Sequence, residues 1–352
     1  MKYQELQLTS SWGEEARNLY YNGIQKVVSE RVEAAKQKRR DFISPEKLKG
    51  RTEEYRRQYI QMLGWPLTEY REGTAVPYKK ELLEETGFVK IYRLSFETLP
   101  GMWYEGILYE PTVRKEGCPL VIQHPGGGYF VENLIAHGEH KCDQCKNIGG
   151  RFLEGGMLMF CPQNLIWNDA ERGINTPADR NRFDVQLKAV GGSMMALEIY
   201  NVECAIDYLI AHEKIDETKI GMMGLSYGGF FTLYASAADT RIKSAFVSCS
   251  FFDRFKDPVK MCRPDLFWPD SAFMFGEAEI AALIAPRALY IENGVNDELY
   301  PYDQACEEYA ETEKYFEVLG ARDKLLFYRS EGVHEVAAED VGYNFFVGHL
   351  ND

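Results

Sequence analysis

Six short, uninterrupted apolar runs recur along this chain: Pro119 to Gln123, Met157 to Cys161, Ile220 to Met223, Ala245 to Val247, Ala288 to Ile291 and Leu325 to Tyr328. A run that is apolar at every position must be covered on both faces, which is the condition of a parallel strand inside an α/β layer structure. Segments of helical or loop character separate the runs, and a strand followed by a long crossover to a parallel strand closes with a right-handed connection. The expected fold class is therefore α/β, a mostly parallel central sheet with helices on both faces. In such sheets ligands bind beyond the carboxyl ends of the strands.

Two segments precede those runs. From Phe88 the apolar period becomes two, with Val89, Ile91 and Leu94 to Phe96 in one stretch and Met102 to Tyr109 in another, separated by Leu99-Pro100-Gly101. That pattern predicts an antiparallel strand pair opening the main domain. Upstream, residues 12 to 63 read as helices, with Ser44-Pro45-Glu46 as a start signal and Gly64-Trp65-Pro66 as a stop. The chain accordingly divides into a helical N-terminal segment, 1–86, suited to a lid, an arm or a contact between copies in a homo-oligomer, and a catalytic domain, 87–352.

Acidic residues outnumber basic ones 54 to 40, a formal charge of −14 over 352 residues, which opposes binding to nucleic acid or to anionic lipid. The basic run Lys36 to Arg40 reads as the solvated face of a helix. No stretch of about 18 apolar residues occurs, and eight cysteines at irregular spacing suit reduced thiols in a cytoplasmic protein rather than a disulfide scaffold.

The chemistry centres on Gly224-Leu225-Ser226-Tyr227-Gly228-Gly229, which follows the strand-like Lys219 to Met223 and precedes the helix-like Phe230 to Ala238. A serine on a strained strand-to-helix turn has its Oγ exposed, and residues two before and two after it must be small to avoid the neighbouring backbone. The helix start also directs the Tyr227 amide toward the place where an oxyanion would form. Asp297 lies in the loop leaving a later strand, and His334 follows the last strand. Serine, aspartate, histidine in that order is the arrangement of α/β hydrolases. An unassisted hydroxyl is a poor nucleophile, so His334 would take the Ser226 proton and return it to the leaving group while Asp297 fixes the imidazole. His124-Pro125-Gly126-Gly127-Gly128 follows a strand and can supply further amides, Gly126 or Gly127, to the oxyanion hole.

Other candidates weigh less. Asp253, after the strand that follows the serine strand, is an alternative acid, and Ser193 lacks the flanking strand and glycine and reads as a loop residue. His137, His140, Cys142 and Cys145 carry ligand types suited to zinc, but four ligands within nine residues would strain a closed tetrahedral site, so no metal is expected. Trp103, Trp167 and Trp268 could stack on sugar rings. Of these Trp268 lies in an aromatic insertion, Phe251 to Phe275, where a lid or pocket wall belongs.

On these residues the segment from about Phe88 to the C-terminus resembles the α/β-hydrolase superfamily, especially dienelactone-hydrolase-like and acetyl xylan esterase-like members. The matching features are the His124 to Gly128 loop, the helix Glu203 to Leu209, the serine turn, and Ala282-Leu283-Ile284-Ala285-Pro286-Arg287 leading to Glu292-Asn293-Gly294 and Asp297. The resemblance implies hydrolysis of a carboxylic ester through an acyl-enzyme, on a small-molecule or oligosaccharide ester such as an acylated carbohydrate, without a cofactor. Ser226-Tyr227-Gly228-Gly229-Phe230 also resembles prolyl-oligopeptidase-like serine peptidases, which keeps peptide or amide cleavage as the alternative. A hydrolase-like fold kept as a binding protein is a further alternative.

Overall fold

The computed structural model describes residues 12–127, 131, 143–165, 177–256 and 263–351. Nine strands form one sheet: β1 (Tyr78–Glu85), β2 (Val89–Leu99), β3 (Met102–Pro111), β4 (Cys118–His124), β5 (Leu158–Pro162), β6 (Ile215–Leu225), β7 (Ile242–Ser248), β8 (Ala288–Gly294) and β9 (Leu325–Ser330), in the order β1-β2-β3-β5-β4-β6-β7-β8-β9. All six apolar runs are strands of its parallel part, and the hairpin expected after Phe88 is β2–β3, paired antiparallel.

Alternation within each strand shows why both faces are apolar. Leu120 and Ile122 of β4, Leu158 and Phe160 of β5, and Ile220 and Met222 of β6 enter one core. Val121, Met159, Cys161, Met223 and Leu225 enter the other. The helices α3 (Thr52–Leu63), α6 (Met194–His212) and α7 (Tyr227–Ala238) cover the first face, while α4 (Ile148–Glu154) and the last helix, Val341–Asn351, cover the second. Burying each such side chain on both faces is worth about 1.5–3 kcal/mol. The expected α/β class, with helices on both faces and a helical N-terminal segment, is the observed one.

That N-terminal segment begins with α1 (Trp12–Phe42) and α2 (Pro45–Leu48), where Ser44 accepts a hydrogen bond from the Lys47 amide at 3.3 Å as the start signal predicts. It ends in an edge strand, β1, whose residues are all exposed and which pairs antiparallel with β2. The basic run on α1 departs in part from its expected role. Arg39 is buried and pairs with Glu279 at 3.1 Å, Lys36 meets Asp253 at 3.5 Å, and Lys38 lies over the Phe273 ring at 5.3 Å. Lys36 and Arg39 therefore clamp the insertion between β7 and β8, while Gln37, Lys38 and Arg40 of the run are exposed as a solvated face requires. The first turns of α1 leave Leu19, Tyr20, Ile24 and Val27 exposed.

Among the described residues no helix is long and apolar enough to cross a membrane. The described cysteines are free thiols, and all but Cys306 are buried.

Candidate active site

β6 delivers Ser226 at its carboxyl end. The residue caps α7 with φ 61° and ψ −120°, a left-handed conformation that a serine adopts only under constraint and that costs about 1–3 kcal/mol. Its amide is tied to the Ser248 carbonyl at 2.9 Å, and its carbonyl accepts from the Gly229 amide at 2.9 Å, which starts the helix. The small neighbours are sterically required. A Cβ at Gly224 would strike the Gly228 backbone, one at Gly228 would strike the His124 and Pro125 carbonyls, and one at Gly229 would strike Ser250.

Because β4 and β6 are parallel neighbours with His124 opposite Gly224, the Gly126–Gly127 loop leaves the sheet beside the serine turn. Gly126 is buried and Gly127 half-buried, and the Tyr227 amide occupies the first turn of α7. His124 anchors this loop. Its ring stacks on Phe231 at 4.2 Å and lies 3.0 Å from Asn164 Nδ2, and burial depresses its pKa to about 3, so it stays neutral.

Two strands further across the sheet Asp297 leaves β8, and one strand beyond it His334 leaves β9. His334 Nδ1 and Asp297 Oδ2 are 2.8 Å apart, and Asp297 Oδ1 accepts from the amides of Leu299 at 2.8 Å and Tyr300 at 3.0 Å. Burial works to raise the Asp297 carboxyl, but the hydrogen bond and charge of His334 and the two amides outweigh it and leave the group below its ordinary value. Asp253 has other partners. Its carboxylate binds Lys36 and, at 3.0 Å, the Phe255 amide. Ser193 caps α6, accepting from the Ala196 amide at 3.0 Å and donating to the Leu63 carbonyl at 2.7 Å.

His334 pairs with Asp297 through Nδ1, and the Tyr300 phenol is pushed above its ordinary value chiefly by burial, with Arg263 and the Ser226 side chain acting in the opposite direction. The Tyr300 ring is 5.3 Å from that of His334. Nothing in its sequence context singles it out except its place shortly after Asp297. Three further buried groups escape sequence reasoning because their partners are distant in the chain. Arg180 donates to the Tyr227 hydroxyl at 2.9 Å, Asp265 at 3.0 Å and Glu198 at 3.1 Å, locking the side chain next to the serine. Cys249, at φ 48°, follows β7 beneath the imidazole, with its thiol 3.4 Å from the Glu335 carbonyl. Glu292 of β8 accepts from Ser248 Oγ at 2.8 Å and from the Ala337 amide at 3.0 Å, fastening the His334 loop to β7.

Among the described residues, ligand-type atoms cluster within 4.8 Å at Cys249, Asp297 and His334. The His334–Asp297 hydrogen bond already engages two of these groups, and burial pushes the Cys249 thiol up, keeping it protonated and a poor ligand. His137, His140, Cys142, Trp167 and Gly128 lie outside the described residues, and Cys145 is buried. Trp268 is a core residue, edge-on to Tyr234 at 5.7 Å, and Trp103 is partly exposed with Lys79 over its ring at 4.1 Å. Neither forms a platform at the serine.

Comparison with known proteins agrees with this architecture. The prolyl oligopeptidase family matches residues 190–259, the stretch from α6 through the serine turn to β7 and the segment just beyond it. A curated Bacillus subtilis (strain 168) protein provisionally assigned as a hydrolase, YtaP, is 29% identical over 153 residues, which are 42% of this chain and 51% of the relative. The chain thus matches about half the length of that relative. A solved structure from Bacteroides fragilis, provisionally assigned as an acetyl xylan esterase, aligns with TM-score 0.64 at 17% identity, covering 86% of this chain and 83% of the other. A glucuronoyl esterase from Solibacter usitatus aligns with TM-score 0.64 at 13% identity, covering 84% and 92%. Identities this low establish the fold, which is that of the α/β hydrolases.

Proposed function

We propose that this chain is a serine hydrolase that cleaves a carboxylic ester through an acyl-enzyme, with Ser226 as nucleophile, His334 as general base and acid, and Asp297 as the orienting carboxylate. The observation that carries the reading is the 2.8 Å pairing of His334 with Asp297 at the same sheet edge as a serine held in strained geometry. His334 Nε2 takes the proton as Oγ bonds to the ester carbonyl carbon, while Asp297 holds Nδ1–H and stabilises the imidazolium. Charge developing on the carbonyl oxygen falls to the amides of Tyr227 and of Gly126 or Gly127, each such donor being worth roughly 10²–10³-fold in rate. His334 then protonates the departing alcohol, and water enters by the reverse sequence.

The substrate is a small-molecule or oligosaccharide ester. The structural relatives whose names specify acetyl xylan and glucuronoyl esters favour an acylated carbohydrate. The prolyl oligopeptidase match favours amide cleavage as the second reading. Free, mostly buried thiols fit action in the reducing cytoplasm.

Ser226→Ala tests the central assignment. Turnover of p-nitrophenyl acetate and of acetylated xylo-oligosaccharide should fall by several orders of magnitude with an unchanged melting temperature. Persistence near the wild-type rate would overturn it, and faster wild-type cleavage of aminoacyl-proline amides than of esters would transfer the assignment to the peptidase reading.

A further inference from the structure

We propose that the exposed apolar stripe on the first half of α1 is a self-association surface: two copies of this chain pair through it, helix against helix and antiparallel, about a two-fold axis between Gly23 and Ile24. The contact is independent of the ester-hydrolase reading. Leu19, Tyr20, Tyr21, Ile24, Val27 and Val28 are 45–77% exposed. Tyr20, Ile24, Val27 and Val28 recur at i, i+4, i+7 and i+8, with Leu19 and Tyr21 at the margins, which is the spacing of a face that packs against something. Further along the same face the chain's own body supplies the cover. Ala35 is buried, the Arg31 guanidinium lies 5.4 Å from the centre of the Phe273 ring, and Arg39 donates to the Ala272 carbonyl at 2.9 Å. Among the described residues the body thus covers this face from Arg31 onward and leaves the preceding turns bare.

Area, charge and register single out a second copy as the occupant. The six side chains expose roughly 600–700 Å² per copy, more than scattered surface residues do, and roughly 1,300 Å² over a pair, which is the size of a stable interface. A helix that lies on an anionic bilayer is basic on its polar face. Here Glu14, Glu15, Glu30 and Glu33 offset Arg17, Lys26 and Arg31 on a chain of net charge −14, so lipid is disfavoured while the near-neutral helix lets two acidic copies meet. The pattern is also complementary to itself, as a two-fold contact requires. Facing positions lie equally far from the axis: Tyr20 meets Val27 of the second copy, Leu19 meets Val28, and Arg17 faces Glu30, each pairing occurring twice. Glu14 and Glu15 approach Arg31 of the second copy in the same register. Glycine weakens a helix interior, yet Gly23 stands at the axis, where a Cβ would meet nothing within 4 Å of the chain itself and its absence lets two backbones approach.

The test is sedimentation velocity of the full chain, which reads mass and not turnover. At about 20 μM, above the micromolar dissociation constants at the weak end of interfaces this size, wild type should sediment as a dimer. Ile24→Asp sets two like charges beside the axis and should give a monomer with unchanged circular dichroism. Arg17→Glu and Glu30→Arg keep the apolar stripe and place like charges opposite one another, so each should raise the dissociation constant by roughly tenfold, and the double variant, which restores opposite charges, should return it to within about threefold of wild type. A monomeric wild type at this concentration overturns the proposal, as does a dimer that Ile24→Asp leaves intact. A double variant no tighter than either single one overturns the antiparallel register. A monomer that instead co-sediments with vesicles of phosphatidylcholine and phosphatidylglycerol assigns the stripe to lipid and likewise overturns self-association.

Discussion

Asp297 uses both carboxylate oxygens in a way an amide cannot copy. Oδ2 faces the imidazole Nδ1, and Oδ1 accepts two backbone amides. An asparagine side chain in its place would have to turn an NH2 group toward one of these donor sets, displacing the tautomer that the proposed role of His334 as a base requires. Asp297→Asn should therefore lower kcat by about 10³–10⁴-fold, whereas Asp253→Asn, which loosens only the α1 clamp at Lys36, should leave kcat within a few-fold. Steady-state kinetics on the two variants decides, and the reverse pattern would make Asp253 the acid. At this scale the placement of Ser226, Asp297 and His334 beyond strand ends was legible because each is the polar residue that follows an apolar strand run. Arg180 was not, since its significance comes from its contact with Tyr227 across a long stretch of chain, and no local pattern encodes such a meeting.

The serine turn is the element whose packing the sequence described best, because its glycines answer a steric demand that is independent of context. Gly228 sits where the first turn of α7 meets the carbonyls of His124 and Pro125, so Gly228→Ala must push the turn and the Gly126 loop apart. The expected cost is about 1–3 kcal/mol of stability, with activity falling more steeply than stability because the oxyanion donors separate. Gly348→Ala, where a Cβ meets nothing within 4 Å, is the control and should be neutral or stabilising. Equal melting temperatures and rates for the two variants would contradict the close approach. Other elements were harder to read. β1 carries Lys79, Lys80, Glu81, Glu84 and Glu85 and is exposed throughout, so it has no burial pattern to detect; it exists because β2 offers an unpaired edge. Within the Lys36 to Arg40 run, Arg39 misled for the complementary reason. Charge on a helix face looks solvent-directed until acidic partners such as Glu279 come from elsewhere in the chain.

For the whole molecule, three active-site segments are held in register by one buried acid. Glu292 ties Ser248 of β7, its own strand β8, and Ala337 of the loop after β9, which are the segments that carry Cys249, Asp297 and His334. Burial raises this carboxyl from 4.5 to about 7, although its three hydrogen-bond donors, including the Tyr290 hydroxyl at 2.9 Å, pull the other way. An acid whose pKa is higher in the folded than in the unfolded chain binds more protons when folded, so stability falls as pH rises from about 4.5 toward 7, and the loss is complete above that. Glu308, raised to about 8 by burial and the neighbouring acids, acts in the same direction. The Glu292 shift bounds its share at about 3 kcal/mol. Glu292→Gln keeps the shape and removes the titration, so its melting temperature relative to wild type should climb between pH 5 and pH 9. At pH 5, where wild type is protonated, the difference should be smallest or negative. A difference that stays constant across that range would mean Glu292 does not titrate there and that the three segments are held together independently of its charge.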